Sequence, residues 1–248
     1  MQYALVNLIK SLPQKGLQGT CIGCGGPVIA KCGMLNVHHW AHLNRKECDS
    51  WSEPETEWHR NWKNQFPESY WEVYFTDAVL DEVHRADIHT KSGITIEFQN
   101  SPISTDEFSQ RNNFYKRLIW VVNGIHFINT FALAYSLPNP ESPLLKDYVF
   151  AAGNFLNFFR KEEAEEHGLF ELLSLRNPEL SHIQTSDIYK FFKWKNPRKV
   201  WLNSSKYVFI DFGSDDLYWL KKRHQQTAGF WYVQIVPKTT FIEKYKNS

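Results

Sequence analysis

The sequence predicts a mixed α/β (α+β) protein in three stretches, and three observations lead there. Two close pairs of metal-ligand residue types, Cys21/Cys24 and His39/His42, crowd the first fifty positions. A helix pattern, alternating strands, a second helix and a continuous apolar run then follow one another. Beyond a joint at Pro138–Pro143 come further strand-like and helical segments. The expected divisions are 1–50, 51–137 and 138–248.

Composition sets the limits. Hydrophobic residues make up 42% of the 248 positions and charged residues 22%, which excludes a disordered or low-complexity chain. The 28 basic and 27 acidic residues leave a net charge of +1, so any nucleic-acid site must be a local patch. No stretch reaches the ~20 apolar residues of a membrane span. The N-terminal segment lacks a signal-peptide pattern, and a cytoplasmic protein with no membrane partner is expected.

In the first stretch, Cys21-Ile-Gly-Cys24 supplies two thiolates from one turn, and His39-Trp-Ala-His42 a second close pair. Zinc takes four such ligands in a tetrahedron. The expected structural zinc site is therefore Cys21, Cys24, His39 and His42, with His38, Cys32 and Cys48 as substitutes for one ligand. Four protein ligands leave no open position, which argues for a structural ion. Lys31, Arg45 and Lys46 give this stretch a weak basic character.

In the second stretch, Ser52-Glu-Pro-Glu55 reads as a capping box opening a helix to about Gln65, with Trp51, Trp58 and Trp62 as its buried stripe. Strands are expected at Trp71–Phe75, Ala78–Leu80, Arg85–His89 and Ile94–Gln99, the last two joined by a turn at Gly93. The two-residue period brings Asp87, Glu97 and Gln99 to one face. Two carboxylates on neighbouring strands suit a hard divalent cation such as Mg²⁺ or Mn²⁺, which polarises a phosphate and activates water. Ser104-Thr-Asp-Glu107 opens a second helix to about Lys116, with Glu107, Arg111 and Tyr115 four apart along one stripe. Leu118–Val122 then reads as a buried central strand.

These residues together resemble the competence protein CoiA-like family. The resemblance runs through the C-x2-C pair, Lys31-x-Gly33, His39-Trp-Ala-His42, Glu55-Thr-Glu-Trp-His59-x3-Lys63, Arg85-Ala-Asp87, Ile96-Glu-Phe-Gln-Asn-Ser101 and Ile103-Ser104-x2-Glu107-x3-Arg111-x3-Tyr115. It implies a restriction-endonuclease-like PD-(D/E)XK core preceded by a zinc-finger-like segment. It also implies a metal-dependent nuclease acting on DNA in competence, recombination or anti-phage defence, with a recombination or defence protein as a further partner. By that resemblance Asp87 and Glu97 are catalytic metal ligands, and Gln99 stands where the motif usually has Lys. Glu57 is a further metal-shell acid, the Phe98 carbonyl completes the shell, and Arg111 and Tyr115 orient the site or hold DNA. His59 falls near the site, four residues from both Glu55 and Lys63.

In the third stretch, Tyr148–Phe159 is expected as a buried helix and Arg160–Gly168 as its charged continuation. Tyr189–Lys199 combines five basic residues with four aromatics and no acid, so Lys193 and Lys195 are candidate DNA contacts beside Phe192 and Trp194. An amphipathic element with buried rings and solvated lysines explains the same run. Strands are expected at Lys199–Leu202, Lys206–Phe212 and Phe230–Val236. Two other function classes fit the sequence: a DNA-binding or partner-recruiting module that keeps a nuclease fold, and a zinc hydrolase using the N-terminal histidines.

Overall fold

The computed structural model describes residues 1–34, 36–44, 48–77, 82–166, 171–225 and 229–248. The expectations for Ala78–Leu80, for Arg45 and Lys46, and for the end of the charged stretch at Gly168 lie outside these residues. Two compact units emerge, one of residues 1–123 with 241–248, the other of residues 124–240.

The first unit opens with a small antiparallel sheet. Its strands are β1 (Ala4–Val6), β2 (Ile9–Ser11), β3 (Gln18–Thr20), β4 (Pro27–Lys31) and β5 (His39–His42), in the order β2-β1-β3-β4-β5. Strands this short bury little by themselves. Their apolar cluster is correspondingly small, with Ala4, Cys21, Val28 and Trp40 at its centre.

Next comes α1 (Glu57–Lys63), then β6 (Trp71–Asp77), β7 (Glu82–His89), β8 (Thr95–Gln99), α2 (Thr105–Phe114) and β9 (Leu118–Asn123). The four strands lie in the order β9-β8-β7-β6. β7 and β8 form the expected antiparallel hairpin, and Gly93 turns it at φ +78°, a conformation that suits a residue without Cβ. β8 and β9 pair in parallel, which requires a crossover, and α2 provides it. Every residue of β8 and β9 is buried. The helices cover the sheet through ring contacts: Trp62 stacks on Phe98 at 5.6 Å, and Phe108 stacks on Trp120 at 5.8 Å.

The start of α1 differs from expectation. Thr56 is the N-cap and His59 the third helical residue, with their side chains and backbone amides bonded reciprocally. A Ser52–Glu55 box loses to this one because Glu55 is drawn instead to Lys63. Trp51 therefore precedes the helix and stacks on His84 at 3.4 Å. The second cap holds, with the Ser104 hydroxyl accepting from the Glu107 amide.

The second unit contains β10 (Phe131–Leu137), β11 (Tyr148–Ala151), β12 (Asn157–Arg160), α3 (Lys161–Glu166), β13 (Leu173–Ser174), β14 (Ser186–Trp194), α4 (Lys199–Leu202), β15 (Tyr207–Asp211), β16 (Asp216–Arg223) and β17 (Phe230–Pro237). Five of its strands lie in the order β10-β14-β17-β16-β15, and β11-β12-β13 form a small sheet. The helix expected over Tyr148–Phe159 is instead two antiparallel strands. A short apolar run does not distinguish helix from strand by period, and here Gly153 and Asn154 break it into a turn flanked by aromatic segments. Lys199–Leu202 is a helical turn rather than a strand, and β16 was not foreseen. The final helix, α5 (Lys238–Lys246), carries Phe241 into the first unit, where its ring meets Trp62 edge-on at 6.0 Å.

Candidate functional site

Two sites form in the first unit. At the first, the C-x2-C turn, the end of β5 and the segment after it bring together Cys21, Cys24, His42 and Cys48, with their ligand atoms all within 4.8 Å of one another. The Cys21 and Cys48 sulfurs stand 3.8 Å apart, and Cys24 Sγ lies 3.3 Å from His42 Nε2. Two thiolates at about 2.3 Å from a tetrahedral zinc stand about 3.8 Å apart, so the spacing and the ligand chemistry both fit zinc. His39, expected as a ligand, is not part of this set. Its Nδ1 meets the Val37 carbonyl at 2.9 Å, and Cys48, one of the alternatives, completes the cluster. The strand period explains the exchange: residues three apart in a strand point to opposite faces, so His39 and His42 of β5 cannot share one.

The second site is a pocket of about 30 Å³ with acids and cations interleaved around it. The hairpin register, Ile88 opposite Ile96, puts Asp87 opposite Glu97 when extended by one residue, and both line the pocket. Asp87 Oδ2 accepts from the Phe98 amide at 2.9 Å. Glu97 is 4% exposed. Its Oε2 pairs with Arg111 Nη1 at 2.9 Å, while its Oε1 is buried without a hydrogen-bond partner among the described residues. Burial and then the charge of Asp87 push the Glu97 carboxyl well above the usual range, against the pull of Arg111.

The segment before α1 and the helix itself supply the opposite wall. Glu55 meets Lys63 Nζ at 2.5 Å through Oε1, and its Oε2 is buried with no hydrogen-bond partner among the described residues. Lys63 is 2% exposed and also touches Glu72 at 3.3 Å. Burial alone would lower its pKa, but Glu72, Glu55 and Asp87 together raise it, so the ammonium stays charged. Glu53 accepts from the Asn100 and Ser101 amides at 3.2 and 3.1 Å, clamping the chain just beyond β8. His59 Nε2 donates to the Phe98 carbonyl at 2.9 Å. Burial opposes the protonated imidazole, but Glu53 and Asp87 outweigh it and raise the His59 pKa.

Asp49 directly follows Cys48 of the cluster. It accepts from the Trp51 and Arg85 amides at 3.0 Å each and meets His84 Nδ1 at 3.2 Å. One residue beyond the cluster, the chain is therefore pinned to β7 beside Asp87.

Several expected roles change in this setting. Glu57 is exposed at the first turn of α1 and does not line the pocket, whereas Glu55 does. Gln99 is 2% exposed but turns away, its Nε2 donating to the Ser101 carbonyl at 3.1 Å. The Phe98 carbonyl is already occupied by His59. Arg111 is buried against Glu97, Glu107 and the Trp51 carbonyl, so it braces the site and is not exposed to a phosphate. Tyr115 is likewise buried, its ring set among Trp51, Phe75 and Phe114. In the second unit Lys193 and Lys195 are exposed, while Phe192 is buried and Trp194 stacks on Phe127 at 5.0 Å. That matches the amphipathic reading of the run.

Asp49, Glu55, Lys63 and Arg85 had no site role in the sequence reading. The available signal was the four-residue spacing of His59 and Lys63, which sets two polar groups in one direction along α1, with Glu55 four positions before His59.

Residues 55–190, more than half of the 248, match the family model described as competence protein CoiA, nuclease-like domain. The chain belongs to the competence protein CoiA family. Residues 9–50 match the model for the N-terminal domain of the same family, a span that holds all four members of the Cys/His cluster. No curated protein and no solved structure matches the chain. The CoiA nuclease-like match begins at Glu55 and takes in α1, the hairpin and α2, the elements that wall the acid pocket. No helix among the described residues is long and apolar enough to cross a membrane.

Proposed function

We propose that this CoiA-family chain hydrolyses DNA phosphodiester bonds with Mg²⁺ or Mn²⁺, in DNA processing linked to competence and recombination or, alternatively, to anti-phage defence. One observation carries the reading. Asp87 and Glu97, on paired strands, line one pocket in which Glu97 Oε1 and Glu55 Oε2 are buried with no hydrogen-bond partner among the described residues. Buried carboxylate oxygens left in this way cost free energy unless a cation meets them. Asp87, Glu97 and Glu55 are the residues that would hold it, all oxygen donors as a hard cation prefers. When bound, such an ion neutralises phosphate charge and lowers the pKa of water.

The chain's own groups do the positioning. Lys63 and Arg85 offset the clustered acids, and Lys63 brings to the pocket the positive charge that Gln99 lacks. Arg111 fixes one oxygen of Glu97 and leaves the other facing the pocket. His59 and Glu53 hold both sides of the β8 terminus, which keeps Glu97 in register with Asp87. The orientation of Gln99 towards Ser101 favours a second reading, a catalytically weak DNA-binding module.

Cleavage of single-stranded, duplex and branched DNA with Mg²⁺ and with Mn²⁺ separates the two. Asp87→Asn is the cleaner variant, because its amide oxygen still accepts from the Phe98 amide. Cleavage by wild type that falls at least about 10³-fold in Asp87→Asn, with unchanged DNA binding, supports the nuclease. No cleavage of any substrate by wild type supports the binding module.

A further inference from the structure

A cleft in the second unit has a chemistry that the acid pocket does not use. It measures about 540 Å³ and lies where β16 and β17 run past the start of β15, under the loop that follows α4. Its volume falls within the range of small-ligand sites, and it shares no lining residue with the acid pocket.

Three aromatic rings and several cations line it. Tyr207 is 52% exposed and meets Trp219 edge-on at 4.9 Å, with Trp231 on the neighbouring strand. Lys222 is exposed, and its ammonium sits 5.4 Å from the Trp231 ring. Lys206 and His224 add basic groups, and no carboxylate is among the described lining residues. Lys221 also lines the cleft, but its charge is taken by Glu141 at 2.8 Å, so Lys222 is the better-placed cation for a ligand. In a chain whose basic and acidic residues nearly balance, such a lining is a local concentration of positive charge.

An exposed tyrosine and two half-buried tryptophans beside ammonium groups suit a ligand with a flat π face and an adjacent anion. Bases stack on aromatic rings at about 1–3 kcal/mol each, and lysines follow the phosphates between them. Duplex DNA hides its base faces, so an unpaired strand is the form that fits. The geometry points to a single-stranded DNA site in this cleft, with a base against Tyr207 and Trp219 and the flanking phosphate at Lys222. This inference is independent of whether the acid pocket cleaves.

The test uses the full chain without added Mg²⁺ or Mn²⁺, so that cleavage plays no part. Binding is followed by anisotropy of labelled oligothymidylate, an abasic oligomer of equal length, and a duplex. Lys222→Glu and Tyr207→Ala, both at exposed positions, are compared with wild type after far-UV circular dichroism confirms folding. The expected result is tighter binding of oligothymidylate than of the abasic oligomer or duplex, with each variant weakening it about tenfold. Lys15→Glu, at an exposed position of the first unit, is expected to change Kd less than twofold. Absent binding by wild type overturns the inference. So does equal binding of the abasic oligomer, or Kd values unaltered in either cleft variant.

Discussion

The two sites of the first unit are built in opposite ways. The Cys/His cluster draws four ligand atoms to within 4.8 Å of one another. Among the described residues no set of acids is gathered that tightly, and the pocket around Asp87 and Glu97 alternates carboxylates with Lys63, Arg85 and Arg111. A closed set of four soft ligands completes a structural ion by itself. A looser set of hard ligands, with oxygens left unpaired, has room for groups the protein does not supply. Under the proposed function, the first would hold an ion that supports the fold and the second an ion that works on a substrate. The sites are nonetheless in series, because Cys48 belongs to one and its neighbour Asp49 anchors the strand of the other.

The largest effect expected from this contrast is on the closed cluster. Cys48→Ser, or chelation with a strong zinc ligand, should unfold the N-terminal sheet and lower the melting temperature by more than 10 °C, because structural zinc contributes directly to folding. One equivalent of zinc in the wild type and less than a tenth in Cys48→Ser, by elemental analysis, completes the check. A variant that keeps both its zinc and its melting temperature would break the comparison on the structural side.

The acid pocket should answer in reverse. Glu97→Gln is expected to cut cleavage about 10³-fold while stability holds or rises, since a carboxylate that burial disfavours becomes neutral. Cleavage assays beside thermal denaturation show this, and a fall in stability with activity retained would reverse the roles of the two sites.

Smaller is the effect at Glu72, the buried acid behind the pocket. Burial works against its ionised form, but Arg85, Lys63 and the amide of Gln2 outweigh it and hold the carboxyl below the usual range. A depressed folded pKa adds stability that is present above the unfolded value of about 4.3 and lost as pH falls through the folded one. Glu72→Gln should therefore cost about 3 kcal/mol at pH 7 and progressively less below pH ~4. Urea denaturation at both pH values measures it, and an unchanged difference across that window would contradict the assignment.

The smallest effect sharpens the zinc ligand set. His39→Ala should lose less than about 0.5 kcal/mol and keep its zinc, as expected of a residue whose ring, among the described residues, meets only a nearby backbone carbonyl. Zinc lost from His39→Ala would restore the ligand set read from the sequence.

Much of this arrangement is legible residue by residue. The C-x2-C turn, the hairpin around Gly93, the Asp87–Glu97 pairing and the Ser104 cap all follow from short-range rules: ligand spacing, the two-residue strand period and side-chain capping. Other placements follow from tertiary contacts. Motif position points to Glu57 and Gln99, while Glu55 and Lys63 line the pocket, where Glu55 meets the lysine. Arg111 and Tyr115 lie on the expected stripe of α2, but that stripe packs inward against Trp51 rather than outward.

The sequence by itself determined the order of helix, hairpin, helix and buried strand over residues 57–123, the clustering of metal-ligand residue types in the first fifty residues and the two strand carboxylates, because each rests on residues within a few positions of one another. Tertiary structure brought Cys48 into the cluster and Glu55 and Lys63 to the pocket. Those placements depend on which distant segments meet, and local periodicity fixes the direction of a side chain without fixing what it will face.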